Sequence, residues 1–250
     1  MSDMKILTLD IETSPNLVYA WGLFNQFINI DFIVRPTYVM SWAAKWVGKK
    51  KVYYKNCNDA GFLDDIWELI DTADAVVHYN GTAFDMKHLN REFVEAGMNP
   101  PLMPKNIDLL RTVKERFKFP SNKLQYVSRI VLKEEKLDHD GLQVWLGCME
   151  DDPKWWNVMK KYNKQDVVLT EKLYLKIRGW IKGHPNHGLY IEDQDEPVCR
   201  ACGSHHVYSR GWQPLNVQSY MRYRCENCGW QGRGRKRVKG GIKTAKQVLV

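Results

Sequence analysis

No stretch of this 250-residue chain approaches the ~20 consecutive apolar residues that a membrane-spanning helix needs. No segment repeats at the period of a solenoid. Cysteine is sparse, with six in all. In an intracellular protein these would be reduced thiols or metal ligands, not disulfides. Acid is almost missing from the C-terminal fifth: residues 197–250 hold 11 Lys or Arg and one acid, Glu226, whereas residues 1–196 carry a net −2. The net charge of +8 therefore belongs to that last fifth. Such asymmetry suits either contact with a polyanion, most often nucleic acid, or a solubilising tail. What remains is ordinary: 44% apolar and 26% charged, enough for one core and a small second module. The opening "MSDMKILTLD" runs straight into an apolar strand. The expectation is a cytoplasmic protein with no signal peptide and no membrane partner.

Along the chain, "ILTL" (6–9), "YVMSWAAKWVG" (38–48) and "KVYYKNC" (51–57) predict strands by their β-branched, aromatic and aliphatic content. Residues 61–73 carry apolar side chains at helical spacing, 74–80 predict a short buried strand, and 84–97 a helix stopped by Gly97 and Pro100-Pro101. Residues 121–132 predict a helix with Ser121 or Asn122 near its N-cap, and 153–180 a long helical stretch, one helix or two. Early strands followed by alternating helix and strand imply an α/β fold, a mixed sheet flanked by helices. Residues 182–197 have the Gly, Pro and acid content of a linker. The expected division is a domain at 1–181, the linker, a cysteine module at 198–232 and a basic tail at 233–250. The aromatic-rich segment 16–36 has no assigned role; it either lines a cleft or covers the sheet.

Three acidic motifs stand out. In "LTLDIETSP", Asp10 and Glu12 lie two apart on a strand and so project from one face. Like charges held that close repel. Either the strand has reached solvent or a divalent cation sits between them. In "HYNGTAFDMKHL", Asp85 follows a strand and turn and opens a helix, at the sheet rim where α/β folds carry sites. In "KKYNKQDVVL", Tyr162 and Asp166 are i and i+4 on one helix face. Taken singly, an acid at a helix start or a Tyr–Asp surface pair is unremarkable.

Together, Asp-x-Glu, then Asn-x-x-x-Phe-Asp (Asn80, Phe84, Asp85), then Tyr-x-x-x-Asp resemble the DEDD superfamily of 3′→5′ exonucleases, in its tyrosine branch. The histidine branch would place His where Lys161 stands. The resemblance covers about residues 4–180 and implies an RNase H-like fold. It also implies two Mg²⁺ or Mn²⁺ ions held by carboxylates. Asp10 would bridge them, Glu12 and Asp166 would complete one site, and Asp85 would hold the other, directly or through water. Oxygen-seeking ions explain why the ligands are acids rather than His or Cys. Two ions roughly 3.5–4 Å apart can activate water and stabilise the leaving oxygen of a phosphodiester. Tyr162, with an ordinary phenol pKa of about 10, suits orienting the water better than abstracting its proton. Asn80 and Phe84 would touch the terminal nucleotide, though Phe84 could equally be core. His78 reads as a satisfied core histidine.

Cys199, Cys202, Cys225 and Cys228 form Cys-x2-Cys-x22-Cys-x2-Cys, with Gly203 and Gly229 directly after each pair. Four thiolates suit one structural, tetrahedral Zn²⁺, and the pattern resembles a zinc ribbon. Cys57 and Cys148 fall outside it as packed thiols. In "NVQSYMRYRC", Tyr220, Arg222 and Arg224 share one strand face, a combination suited to phosphate contact and base stacking. Trp212 and Trp230 could stack on bases or fill the small core.

The functional expectation is a 3′→5′ exonuclease acting on single-stranded 3′ ends, DNA favoured over RNA, with a replication or repair partner possible. The alternatives are a non-catalytic nucleic-acid-binding protein on a nuclease-like scaffold, and an RNase H-like endonuclease.

Overall fold

The structure is a computed structural model that describes residues 4–134, 141–191, 196–215 and 218–237, the last three of these as backbone only. It divides into two compact units, Lys5–Leu173 and a second that begins at Tyr174.

The first unit opens with β1 (Ile6–Thr13), a small ribbon of β2 (Leu17–Val18) and β3 (Ile33–Arg35), then β4 (Val39–Trp46) and β5 (Tyr53–Asn56). There follow α1 (Phe62–Thr72), β6 (Ala75–His78), α2 (Asp85–Glu95), β7 (Lys105–Asp108), α3 (Leu109–Arg116), α4 (Leu124–Leu132), α5 (Leu142–Met149) and α6 (Pro153–Ile177). Five strands form one sheet in the order β5-β4-β1-β6-β7. The β5-β4-β1 pairings are antiparallel and the β1-β6-β7 pairings parallel. This is the expected mixed α/β sheet.

The period-2 alternation of β1 sorts its side chains. Leu7, Leu9 and Ile11 join Trp42, Ile66, Ile70, Leu89 and Phe93 in a core that links the sheet to α1 and α2. Each such side chain contributes about 1.5–3 kcal/mol by leaving water. The opposite face carries the polar set, and it meets α6. There Ser41 donates to Asn163 at 3.2 Å, and Lys45 pairs with Glu171 in a buried ion pair. Glu171 also accepts from the Gly48 amide at 2.7 Å. A buried ion pair adds little net stability but penalises any mispacked alternative that separates its partners.

The structure sharpens two local expectations. Neither Ser121 nor Asn122 caps α4: the helix starts at Leu124 with Lys123 in the cap position and no side-chain cap bond. Ser121 instead accepts from the Lys123 amide, closing a turn before the helix. The stretch 153–180 is one helix, α6, followed by a 3₁₀ turn at Arg178–Trp180.

In the second unit, β8 (Val207–Pro214), β9 (Ser219–Cys225) and β10 (Gln231–Arg237) make an antiparallel sheet in the order β10-β9-β8. β10 carries this sheet past residue 232, where the sequence suggested a tail would begin. Residues 238–250 of that tail, 192–195 of the expected linker, and Asn216 and Val217 of the hairpin lie outside the described residues. Among the described residues, no helix is long and apolar enough to cross a membrane.

Candidate functional site

β1 is the central strand, and its last turn of register sets the acids. Asp10 pairs with Ala43 and Glu12 with Ser41, and the ladder slips between Glu12 and Thr13. Ala43 and Ser41 are small, which leaves room in front of the two carboxylates for side chains of α6. From α6, Asp166 enters that space. One oxygen each of Asp10, Glu12 and Asp166 lies within 4.8 Å of the others. Asp166 is buried, while Asp10 and Glu12 are half-buried. An octahedral cation with oxygens at ~2.1 Å spaces its ligands by about 3–4 Å. The three oxygens lie close to that spacing, and the donor set is the hard, anionic one that Mg²⁺ or Mn²⁺ takes.

Asp85 lies apart from that trio. It opens α2, is buried, and accepts the Ile11 amide at 3.1 Å, so it is docked on β1 at the residue between the two strand acids. Burial pushes its carboxyl up to about 7, against hydrogen bonds from its own amide and that of Ile11; Asp108 adds to the rise. A nearby cation would reverse this by favouring the charged form. Tyr162 lies one helical turn before Asp166, nearly buried, with its ring edge-on to Trp145 at 6.2 Å.

The turn that carries Asn80 and Phe84 is tightly held. Asn80 adopts a left-handed conformation, φ 74°. Asp108, at the end of β7, accepts its amide at 3.0 Å. His78 accepts the Gly81 amide at Nδ1 (3.0 Å) and so donates from Nε2 to Asn106 (3.1 Å). A Cβ on Gly81 would stand 2.4 Å from the His78 ring, so the turn closes only over glycine. His78 is thus the satisfied core histidine that the sequence suggested, and burial keeps it neutral. Phe84 is 39% exposed and edge-on to His88, so it is not core.

One residue of the site escaped the sequence reading. Asn163 is fully buried, and its amide donates to Asp10 Oδ2 at 2.7 Å and to the Asp10 carbonyl at 3.2 Å. It fixes the rotamer of the central acid. Its signal was available: Asn163 and Asp166 are i and i+3, on one face of α6.

The four cysteines of the second unit come together as expected. Cys199 and Cys228 Sγ are 3.6 Å apart, and Cys202 and Cys225 Sγ 3.7 Å. A tetrahedral ion with Zn–S bonds of ~2.3 Å requires sulfur spacings of about 3.8 Å. Gly203 and Gly229 take φ of 72° and 74° at the two knuckles, and each returns its amide to the carbonyl of the first cysteine of its pair. Hydrogen bonds from Cys199 and Cys228 pull the Cys202 thiol below its ordinary range. Trp230 packs on the cysteine cluster and belongs to the core.

The three-stranded sheet has two unlike faces. Register places Tyr208 and Gln231 beside Arg224, Arg233 beside Arg222, and Gln213 beside Tyr220 on one face. Arg224 and Arg222 are exposed, Arg222 also holding the Arg210 carbonyl, and Arg233 stacks on the Tyr220 ring at 4.4 Å. Directly opposed like charges cost stability, a cost that an anion between them relieves.

A family model described as the RNase H superfamily matches residues 7–178. The chain belongs to that superfamily. No curated protein sequence matches it. Among solved structures, the family B DNA polymerase from the hyperthermophilic archaeon Pyrobaculum calidifontis is similar, with a TM-score of 0.52 and 19% identity. The similarity covers 71% of this chain and 25% of the polymerase, so the chain spans about a quarter of that protein's length.

Proposed function

We propose that this chain is a 3′→5′ exonuclease of the tyrosine branch of the DEDD superfamily. It would hydrolyse phosphodiester bonds at single-stranded 3′ ends, DNA in preference to RNA, and release nucleoside 5′-monophosphates. The observation that carries this reading is the convergence of Asp10, Glu12 and Asp166 on one point, with Asp85 docked on the same strand. Asp10, Glu12 and Asp166 would hold divalent Mg²⁺ or Mn²⁺, with Asp85 as the ligand for a second ion. Bound there, such ions supply charge stabilisation to the phosphodiester and acidify water.

The chain's own residues supply position. Asn163 fixes Asp10. Tyr162 would orient the attacking water through its phenol. Asn80, held at positive φ by Asp108, and the exposed Phe84 would receive the terminal nucleotide. In the second unit, the cysteines would hold one structural Zn²⁺. The face bearing Tyr220, Arg222 and Arg224 would bind the strand upstream of the cut, raising its local concentration at the site. The similarity to a DNA polymerase favours DNA as substrate and a replication or repair setting.

The test uses 5′-labelled linear single-stranded DNA, the matching RNA and a circular single-stranded DNA, each with Mg²⁺, Mn²⁺ or EDTA. A ladder shortening from the 3′ end of the linear DNA, absent in EDTA and on the circle, is expected. Cutting of the circle would establish an endonuclease instead. Salt-sensitive binding with no cleavage would establish a scaffold.

A further inference from the structure

Between β1 and β4 the chain leaves the body of the first unit. Ser14 and Thr37 clamp the base: Ser14 N donates to the Tyr38 carbonyl, Thr37 Oγ1 to the Ser14 carbonyl, and Thr37 N to Asn16. Beyond the clamp, β2 and β3 pair over only two registered positions, and the tip is closed by local bonds such as Gly22 N to Gln26. The side chains of this segment are largely exposed. Trp21 is 94% exposed, Leu23 and Phe27 91%, and Phe24 84%. Tyr19 and Ile30 are exposed as well.

At about 150–250 Å² per aromatic side chain, Tyr19, Trp21, Phe24 and Phe27 alone present roughly 500–900 Å² of apolar surface. The largest apolar patch on a typical monomer is about 300–600 Å². One side of a stable protein interface buries about 800 Å², and the aliphatic residues of the arm bring the total to that size. Charge narrows the occupant. Residues 16–36 contain one acid, Asp31, and one base, Arg35, in a chain of net +8. Surfaces that bind single strands combine aromatics with a positive groove, and this arm has no such groove. A neutral arm does meet the requirement of a two-fold contact, in which residue i of one copy faces residue j of the other and the reverse. Asp31 of each copy can then face Arg35 of its mate with no unpaired charge.

We propose that the arm is a self-association element: two copies of this chain pack their arms together about a two-fold axis and bury Trp21, Phe24 and Phe27. The proposal is independent of the nuclease reading.

Sedimentation of the zinc-loaded full chain tests it, with Trp21→Ser/Phe24→Ser/Phe27→Ser as the variant. These side chains are exposed, so the variant should keep the wild-type circular dichroism. Wild type is expected at twice the 29.3 kDa chain mass at low micromolar concentration, and the variant at 29.3 kDa. A second variant, Asp31→Arg, should weaken the dimer, and Asp31→Arg/Arg35→Asp should restore it. A monomeric wild type, or a dimer that survives the triple substitution, overturns the proposal. So does a monomer in which the triple substitution lowers affinity for single-stranded DNA, which would make the arm a base-stacking element.

Discussion

The two units are held together by different means. In Lys5–Leu173, a five-stranded sheet buries Leu7, Leu9, Trp42, Ile66, Leu89 and Phe93 completely or nearly so. From Tyr174 onward, the buried cluster of the small sheet is Cys199, Ala201 and Cys225, with Cys202, Val207, Cys228 and Trp230 against it. The first unit has an extensive apolar core, and on the proposed reading its acids are a functional load on that scaffold. The small sheet of the second has little aliphatic surface in that cluster, so a metal held by the four cysteines would be its main source of stability. On the proposed reading both clusters hold cations, and the one held by the thiols is structural.

Metal removal should separate the units most sharply. Structural zinc contributes on the order of 10 kcal/mol in small cysteine modules. A strong chelator, or Cys225→Ser, should therefore abolish amide-exchange protection in residues 199–234 while leaving that of β1, β4 and β6 intact. Equal loss in both units would end the comparison. The converse perturbation is Asp10→Ala or Asp166→Ala. Losing a cation ligand should lower the cleavage rate on the order of 10³-fold. The melting temperature of the first unit should change little, because the repelling carboxylate that is lost offsets the acceptor that Asn163 loses in the Asp10 variant. A large drop in stability would show that the acids are structural.

A smaller effect is expected at Gly179, in the turn after α6. A Cβ there would stand 2.1 Å from the Cys228 carbonyl, a backbone atom that cannot swing aside. Gly179→Ala should destabilise the second unit by about 1–3 kcal/mol, as overpacking does, seen as earlier zinc release during denaturant titration. The mildest is a pH effect. His184 is buried, takes a hydrogen bond from the Tyr174 hydroxyl at 2.8 Å, and gives one to the Pro185 carbonyl. Burial lowers its pKa from 6.5 to about 4. The unfolded chain therefore takes up this proton first as pH falls. Stability is unaffected above about pH 6.5 and declines as pH drops toward 4, by up to about 3 kcal/mol. His184→Gln should flatten that slope relative to wild type. Parallel slopes would show that His184 does not titrate in this range.

Much of this was legible in the sequence, and where it was not, the cause is physical. Asp10 and Glu12 were readable because a strand has period 2 and their neighbours Leu9 and Ile11 are apolar. Tyr162 and Asp166 were readable because helical spacing aligns i and i+4. The cysteine spacing announced itself. β7 did not: its residues, Lys105 to Asp108, form a short edge strand with no apolar alternation. α3 was also missed: Asp108 caps it by accepting the Leu110 and Arg111 amides, and its buried face of Leu109, Thr112 and Val113 spans only two turns, too short a run to stand out as a helical period. α5 packs Gly147 against Trp155, a tertiary fit that no local pattern encodes. The arm was illegible for a different reason. Its apolar residues follow no period because nothing within the unit buries them.

On the proposed reading, Asp10, Glu12 and Asp166 form a cation site on a scaffold that stands without the cation. Manganese binding to the zinc-loaded protein, followed by the loss of the free Mn²⁺ electron paramagnetic resonance signal, tests it most directly. Wild type should bind Mn²⁺, and Asp10→Ala and Asp166→Ala should lose that binding while remaining folded. Equal Mn²⁺ binding by wild type and both variants, or none by wild type, would contradict the account.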